Sequence, residues 1–183
     1  MNPKMVKLDT IPPEGKSLEF TVPADRIMLE LHQREVKEVL GCGDMEVFAT
    51  VMKSGPDVFV IGKFSVPVTL SCVRCLEEFS LVIKENVHLD LTTEPLGFEN
   101  TPGEFELSAA ELEVDHISGD GINLEELFIE QMILAIPEHP VCSPSCKGLC
   151  PKCGKKQAVS GCGCESAPPS SPFAVLAGLK PKK

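Results

Sequence analysis

Cysteine is the residue type in this chain best placed to do chemistry. Six cysteines fall in one short stretch, Cys142-x3-Cys146-x3-Cys150-x2-Cys153-x8-Cys162-x-Cys164, and a seventh and eighth form Cys72-Val-Arg-Cys75. Two thiolates two residues apart grip one ion only when the backbone between them turns tightly. In Cys150-Pro-Lys-Cys153-Gly154, Pro151 presets one turn dihedral and Gly154 permits positive φ, so that segment has the form of a zinc knuckle. Tetrahedral zinc needs four ligands. Cys142 with Cys146, Cys162 with Cys164, or the distant Cys72 with Cys75 could each complete the set, and spacing leaves all three open. The expectation is metal ligation by Cys142, Cys146, Cys150, Cys153, Cys162 and Cys164, with structural zinc as the ion. Cys72 and Cys75 are a possible additional metal or structural pair. An iron–sulfur cluster, redox thiols and unmetallated cysteines are the competing readings.

Other residues do not assemble a site. His32, His88, His116 and His139 are scattered, although His139 stands three residues before Cys142. Gly41-Cys42-Gly43 and Gly119-Asp120-Gly121 lack the flanking pattern of phosphate loops. Residues 115–126 lack the alternating acids of a calcium loop. No serine, histidine and acid combination suggests a nucleophile.

Composition narrows the setting. The N-terminal residues have no apolar signal core, and no run approaches the ~18 apolar residues that span a bilayer. Nine cysteines without such a signal suggest a reducing compartment, hence the cytoplasm, in which clustered thiols bind metal more often than they form disulfides. Net charge is −10 and uneven. Residues 72–140 hold 2 basic and 16 acidic groups, whereas residues 141–183 hold 7 basic and 1 acidic. A phosphate backbone would be repelled by the middle and tolerated by the C-terminal part.

The elements that must position the cysteines follow from periodicity. Residues 25–40 approach helical spacing and stop at Gly41 and Gly43, with a strand over 27–31 as the alternative. Residues 45–52 and 57–64 are Val- and Phe-rich runs separated by Ser54-Gly55-Pro56, a hairpin signal. Residues 65–72 continue as strand, with Pro67 arguing for an edge or a bulge. Residues 79–91 alternate again. Residues 92–121 read as an acidic loop with a short strand near Phe105–Leu107. Residues 122–136 form the best helix, capped by Asn123 with Glu126 at the capping-box position. The fold class is α+β: an antiparallel meander or partly open barrel with one or two helices and a cysteine-rich metal segment. The expected division is an α+β domain over 1–140, a zinc-knuckle segment over 141–165, and a Pro/Ser linker with a basic amphipathic tail over 166–183. In that tail Phe173, Val175, Leu176 and Leu179 make an apolar stripe followed by Lys180, a pattern suited to a partner groove.

Four ordered motifs resemble one known family. Cys72-Val-Arg-Cys75-Leu76-Glu77 is similar to its C-x-R-C-L signature. Residues 122–137 are similar to its acidic-led helix, which ends in proline. Cys146-Lys147-Gly148-Leu149-Cys150-Pro151-Lys152-Cys153-Gly154 and Pro172-Phe173-Ala174-Val175-Leu176-Ala177-Gly178-Leu179-Lys180 are similar to its later motifs. These are the YceD, or large ribosomal RNA subunit accumulation, proteins. The resemblance implies a cytoplasmic, non-enzymatic factor for accumulation or processing of large-subunit ribosomal RNA and assembly of the large subunit. Its partners would be that RNA or ribosomal proteins, with no membrane and no small-molecule substrate. Some relatives lack the later cysteines, which implies that the metal is a fold staple there. A thiol-redox or metal-handling protein is the alternative.

Overall fold

The computed structural model of the chain describes residues 4–94, 114–157 and 164. Its elements run β1 (Met5–Lys7), a 3-10 turn (Leu8–Thr10), β2 (Lys16–Val22), α1 (Ala24–Gln33), β3 (Val39–Cys42), β4 (Met45–Ser54), β5 (Asp57–Ser71), β6 (Glu78–Thr92), β7 (Val114–His116), β8 (Gly121–Asn123) and α2 (Leu124–Leu134). The main sheet has the order β2-β4-β5-β6-β7, and β3 also pairs with β5. All its pairings are antiparallel except β6 with β7. β1 and β8 form a small separate ladder. Among the described residues β2 and β7 do not pair, so the sheet is open and the fold is α+β.

Strand alternation sorts the sheet into two faces. Val47, Ala49 and Val51 of β4, Val58, Val60, Phe64, Val66, Val68 and Leu70 of β5, and Ile83, Val87 and Leu91 of β6 are buried together. Ile27 and Leu31 of α1 join this core, as do Leu124, Phe128, Ile129 and Met132 of α2. Each such side chain contributes about 1.5–3 kcal/mol by leaving water. Phe128 is the pivot: its ring meets Phe20 and Phe64 edge to face, at 6.3 and 6.2 Å between centroids. Gly62 makes room for it. A Cβ there would stand 2.8 Å from Phe128 Cζ and 2.5 Å from the Phe48 carbonyl oxygen.

The α2 start matches its expectation. Asn123 Oδ1 accepts from the Glu126 amide at 3.4 Å, and Asn123 Nδ2 donates to Glu126 Oε2 at 3.2 Å. The hairpin at Gly55-Pro56 also forms, with Ser54 opposite Asp57.

Two expectations are corrected, and one strand is new. The first helix ends at Gln33, not near Leu40, because the chain turns at Glu35, which adopts φ 58. Val36 N–H then donates to Leu31 O and Glu35 N–H to His32 O, which closes the helix without glycine. Pro67 lies within the central strand β5, not at an edge. It sits where the neighbour of β5 changes from β4 to β3, so no partner there needs its missing N–H, and its carbonyl accepts from Gly43 N–H at 2.8 Å. β2 had no counterpart in the sequence reading, and it covers the flank of β4 from Lys16 to Val22. The strand expected near Phe105–Leu107 lies outside the described residues.

Candidate metal centre

β5 and β6 are paired without interruption from Asp57↔Thr92 to Ser71↔Glu78, so the six residues 72–77 close the hairpin. Within them Leu76 N–H donates to Cys72 O at 2.8 Å and Cys72 N–H to Glu77 O at 2.9 Å. Leu76 holds φ 62, a left-handed conformation usually left to glycine. This turn aims the side chains of Cys72 and Cys75 the same way.

The second half of the site arrives from α2. After the helix, Pro137 and Pro140 prevent its continuation and the chain crosses to the hairpin loop. Val73 N–H donates to Pro140 O at 2.9 Å, and Leu149 N–H to Arg74 O at 3.2 Å. Arg74 Nη1 donates to Cys146 O at 2.9 Å. Gly148, at φ +75, packs so close that a Cβ would stand 2.9 Å from Arg74 O. The segment is thereby wrapped around the loop, and Cys142 and Cys146 face Cys72 and Cys75.

The four sulfurs lie within 4.8 Å of one another. Cys72 Sγ is 3.9 Å from Cys146 Sγ, and Cys75 Sγ is 3.7 Å from Cys142 Sγ. Zinc–sulfur bonds of about 2.3 Å in a tetrahedron require sulfurs about 3.8 Å apart. The two separations of 3.9 and 3.7 Å match the edge of such a tetrahedron and are far too long for a disulfide bond. Cys72 and Cys75 are 0% and 4% exposed, so these two ligands are shielded from solvent, while Cys142 and Cys146 are half-buried.

Electrostatics favour a cation in this cage. A backbone hydrogen bond from Cys142 outweighs burial, with help from the Cys75 and Arg74 backbone, and lowers the Cys72 thiol to about 6. Burial and the neighbouring sulfurs of Cys75, Cys146 and Cys72 push Cys142 up to about 12. Cys75 is also raised: the Glu77 backbone pulls it down, but burial and Cys72 prevail. One thiolate forms easily and further ones are resisted, because like charges crowd a small space. A divalent ion removes that resistance. The cage can hold one metal ion.

A second group forms apart from the first. Cys150, Cys153 and Cys164 bring their sulfurs within 4.8 Å of one another. Cys162 lies outside the described residues, as do Phe173, Val175, Leu176, Leu179 and Lys180. Cys42 joins neither group, and its thiol faces Ala24 O at 3.7 Å. Of the six clustered cysteines the five described fall in two groups, Cys142 and Cys146 with Cys72 and Cys75 from 67 to 74 residues earlier, and Cys150 and Cys153 with Cys164. The sequence contained the signal, a Cys-x-x-Cys between two strand patterns, but not the crossing that brings the pairs together. It also gave no hint of Arg74 as a tie to Cys146, or of the ion pair between Lys156 and Glu77 that links the two cysteine segments.

Among the described residues no helix is long and apolar enough to cross a membrane. Similar proteins include uncharacterized proteins of Mycobacterium bovis and Mycobacterium tuberculosis, each 33% identical over 97 residues, which is 53% of this chain and 44% of the relative. An uncharacterized protein of Mycobacterium leprae is 30% identical over 103 residues, 56% of this chain and 44% of the relative. The matched stretch thus spans less than half the length of these relatives. No solved structure matches the chain. The model of the family described as "Large ribosomal RNA subunit accumulation protein YceD" matches residues 60–180, which takes in the hairpin loop, α2 and both cysteine groups. That match extends over well more than half of the chain, and the chain belongs to the YceD family.

Proposed function

We propose that this protein is a non-enzymatic cytoplasmic factor supporting accumulation of large-subunit ribosomal RNA and assembly of the large subunit. The observation that carries the reading is the family match over residues 60–180. Zinc is the ion assigned to Cys72, Cys75, Cys142 and Cys146, and its role is structural. Four sulfurs close enough to share one ion would fill a tetrahedral zinc and leave no open position for a substrate or an activated water, which suits a staple and not a catalyst. The staple joins the β5–β6 loop to the chain leaving α2. Phe173, Val175, Leu176, Leu179 and Lys180 are assigned to docking on the RNA or on a ribosomal protein.

Depletion of the protein in its own host tests this reading. The ratio of large- to small-subunit ribosomal RNA should fall, and removal of residues 172–183 should reproduce the fall. An unchanged ratio, with no ribosomal RNA or protein recovered on the tagged chain at low salt, would sink it.

One observation favours a second reading, thiol-redox chemistry: the lowered Cys72 thiol. A depressed thiol serves metal ligation as well as nucleophilic attack. Alkylation distinguishes them, since a zinc ligand is slow to react and a redox thiolate is fast.

A further inference from the structure

The turn carrying Cys150 and Cys153 repeats the turn carrying Cys72 and Cys75. Gly154 N–H donates to Cys150 O at 2.8 Å, as Leu76 N–H does to Cys72 O at 2.8 Å. Cys150 N–H donates to Lys155 O at 2.8 Å, as Cys72 N–H does to Glu77 O at 2.9 Å. Gly154 holds φ 68 where Leu76 holds φ 62. The same closed loop occurs twice, and in its first copy it delivers two sulfurs to a metal-sized cage. In the second copy the pair is met by Cys164, eleven residues beyond Cys153.

The second loop is held in shape from its flanks. Leu149 and Lys156 form a bridge, and Gln157 N–H donates to Gly148 O at 2.8 Å. The loop therefore presents its sulfurs from a fixed backbone. Three sulfurs gathered at the end of such a loop are what a thiophilic divalent ion requires.

We propose that Cys150, Cys153 and Cys164 form a second thiolate centre for a divalent ion of the zinc class, separate from the four-cysteine cage and more readily exchanged. On binding, each thiol releases its proton to solvent and forms a sulfur–metal bond, with no change of oxidation state. The difference in lability follows from burial. Cys150 is buried but Cys153 and Cys164 are exposed, whereas in the cage Cys72 and Cys75 are buried and Cys142 and Cys146 half-buried.

Metal counting on the full chain tests this. Protein purified with zinc should carry two ions, one removed quickly by a soluble chelator and one slowly. Cys153→Ser and Cys164→Ser should each retain only the slowly removed ion and melt as the parent does. Cobalt(II) loaded into either variant should keep the absorption of a four-sulfur tetrahedral site and lose the remainder. Saturation of the parent chain at one ion would overturn the proposal. So would two ions in both variants, or loss of both ions together in either one.

Discussion

Consider the chain stripped of metal at the four-cysteine cage, by chelation or by Cys75→Ser with Cys142→Ser. Among the described residues four hydrogen bonds would remain between the loop and the wrapped segment after chelation: Val73 to Pro140, Leu149 to Arg74, Arg74 to Cys146, and the Cys142 amide to the Cys72 sulfur. At about 1 kcal/mol net each they supply roughly 4 kcal/mol. Holding residues 140–149 in one conformation costs roughly 10–20 kcal/mol at 1–2 kcal/mol per residue. A structural zinc ion contributes about 10–16 kcal/mol. With the ion the two sides come close to balance; without it the segment opens. The sheet and helices should persist, since none of the four cage cysteines belongs to the apolar core cluster. Limited trypsinolysis reads the difference: stripped protein should be cut rapidly after Lys147 while residues 4–94 stay intact, and zinc should restore protection. Equal cutting rates at Lys147 with and without metal would refute this reasoning.

Further outcomes follow from particular residues. Gly62→Ala drives a Cβ against the Phe48 carbonyl and the Phe128 ring, and should cost about 1–3 kcal/mol in urea unfolding. A cost below half a kilocalorie, as an order of magnitude, would show that α2 does not seat there. Glu35→Gly relieves a left-handed non-glycine residue at the end of α1 and should raise stability by about 1 kcal/mol in the same assay; any loss contradicts it. Phe128→Ala should cost about 3–5 kcal/mol, whereas Leu134→Ala, at a position 76% exposed, should change little. Metal affinity should rise with pH. Cys75 and Cys142 are both raised above the ordinary thiol value, so they are protonated between pH 7 and 8 and must lose protons to bind. At least two protons are released, which gives a gain in affinity of at least about a hundredfold per pH unit. A competition titration showing less than a tenfold gain, about one proton, would contradict that assignment.

Much of this fold can be read in the residues. Asn123 and Glu126 mark the start of α2, and Val and Phe alternation marks β4, β5 and β6, because these signals are local. The misreadings have nonlocal causes. Glu35 ends α1 in a conformation that glycine ordinarily takes, so glycines six and eight residues later drew the boundary instead. Pro67 is harmless in a central strand only because the neighbouring strand changes beside it. For the site, the knuckle at Cys150 was visible, since proline and glycine set its turn. Its counterpart at Cys72 was fainter because Leu76 occupies the glycine position. The joining of Cys72 and Cys75 to Cys142 and Cys146 depends on α2 packing across the sheet, which no spacing rule contains.

One zinc ion held by Cys72, Cys75, Cys142 and Cys146 would join the hairpin loop to the chain leaving α2. X-ray absorption at the zinc edge, on protein carrying Cys150→Ser, Cys153→Ser and Cys164→Ser, tests this most directly. One bound zinc per chain is expected, with a single shell of four sulfurs at about 2.3 Å. No bound zinc, or a shell containing nitrogen or oxygen, would contradict it.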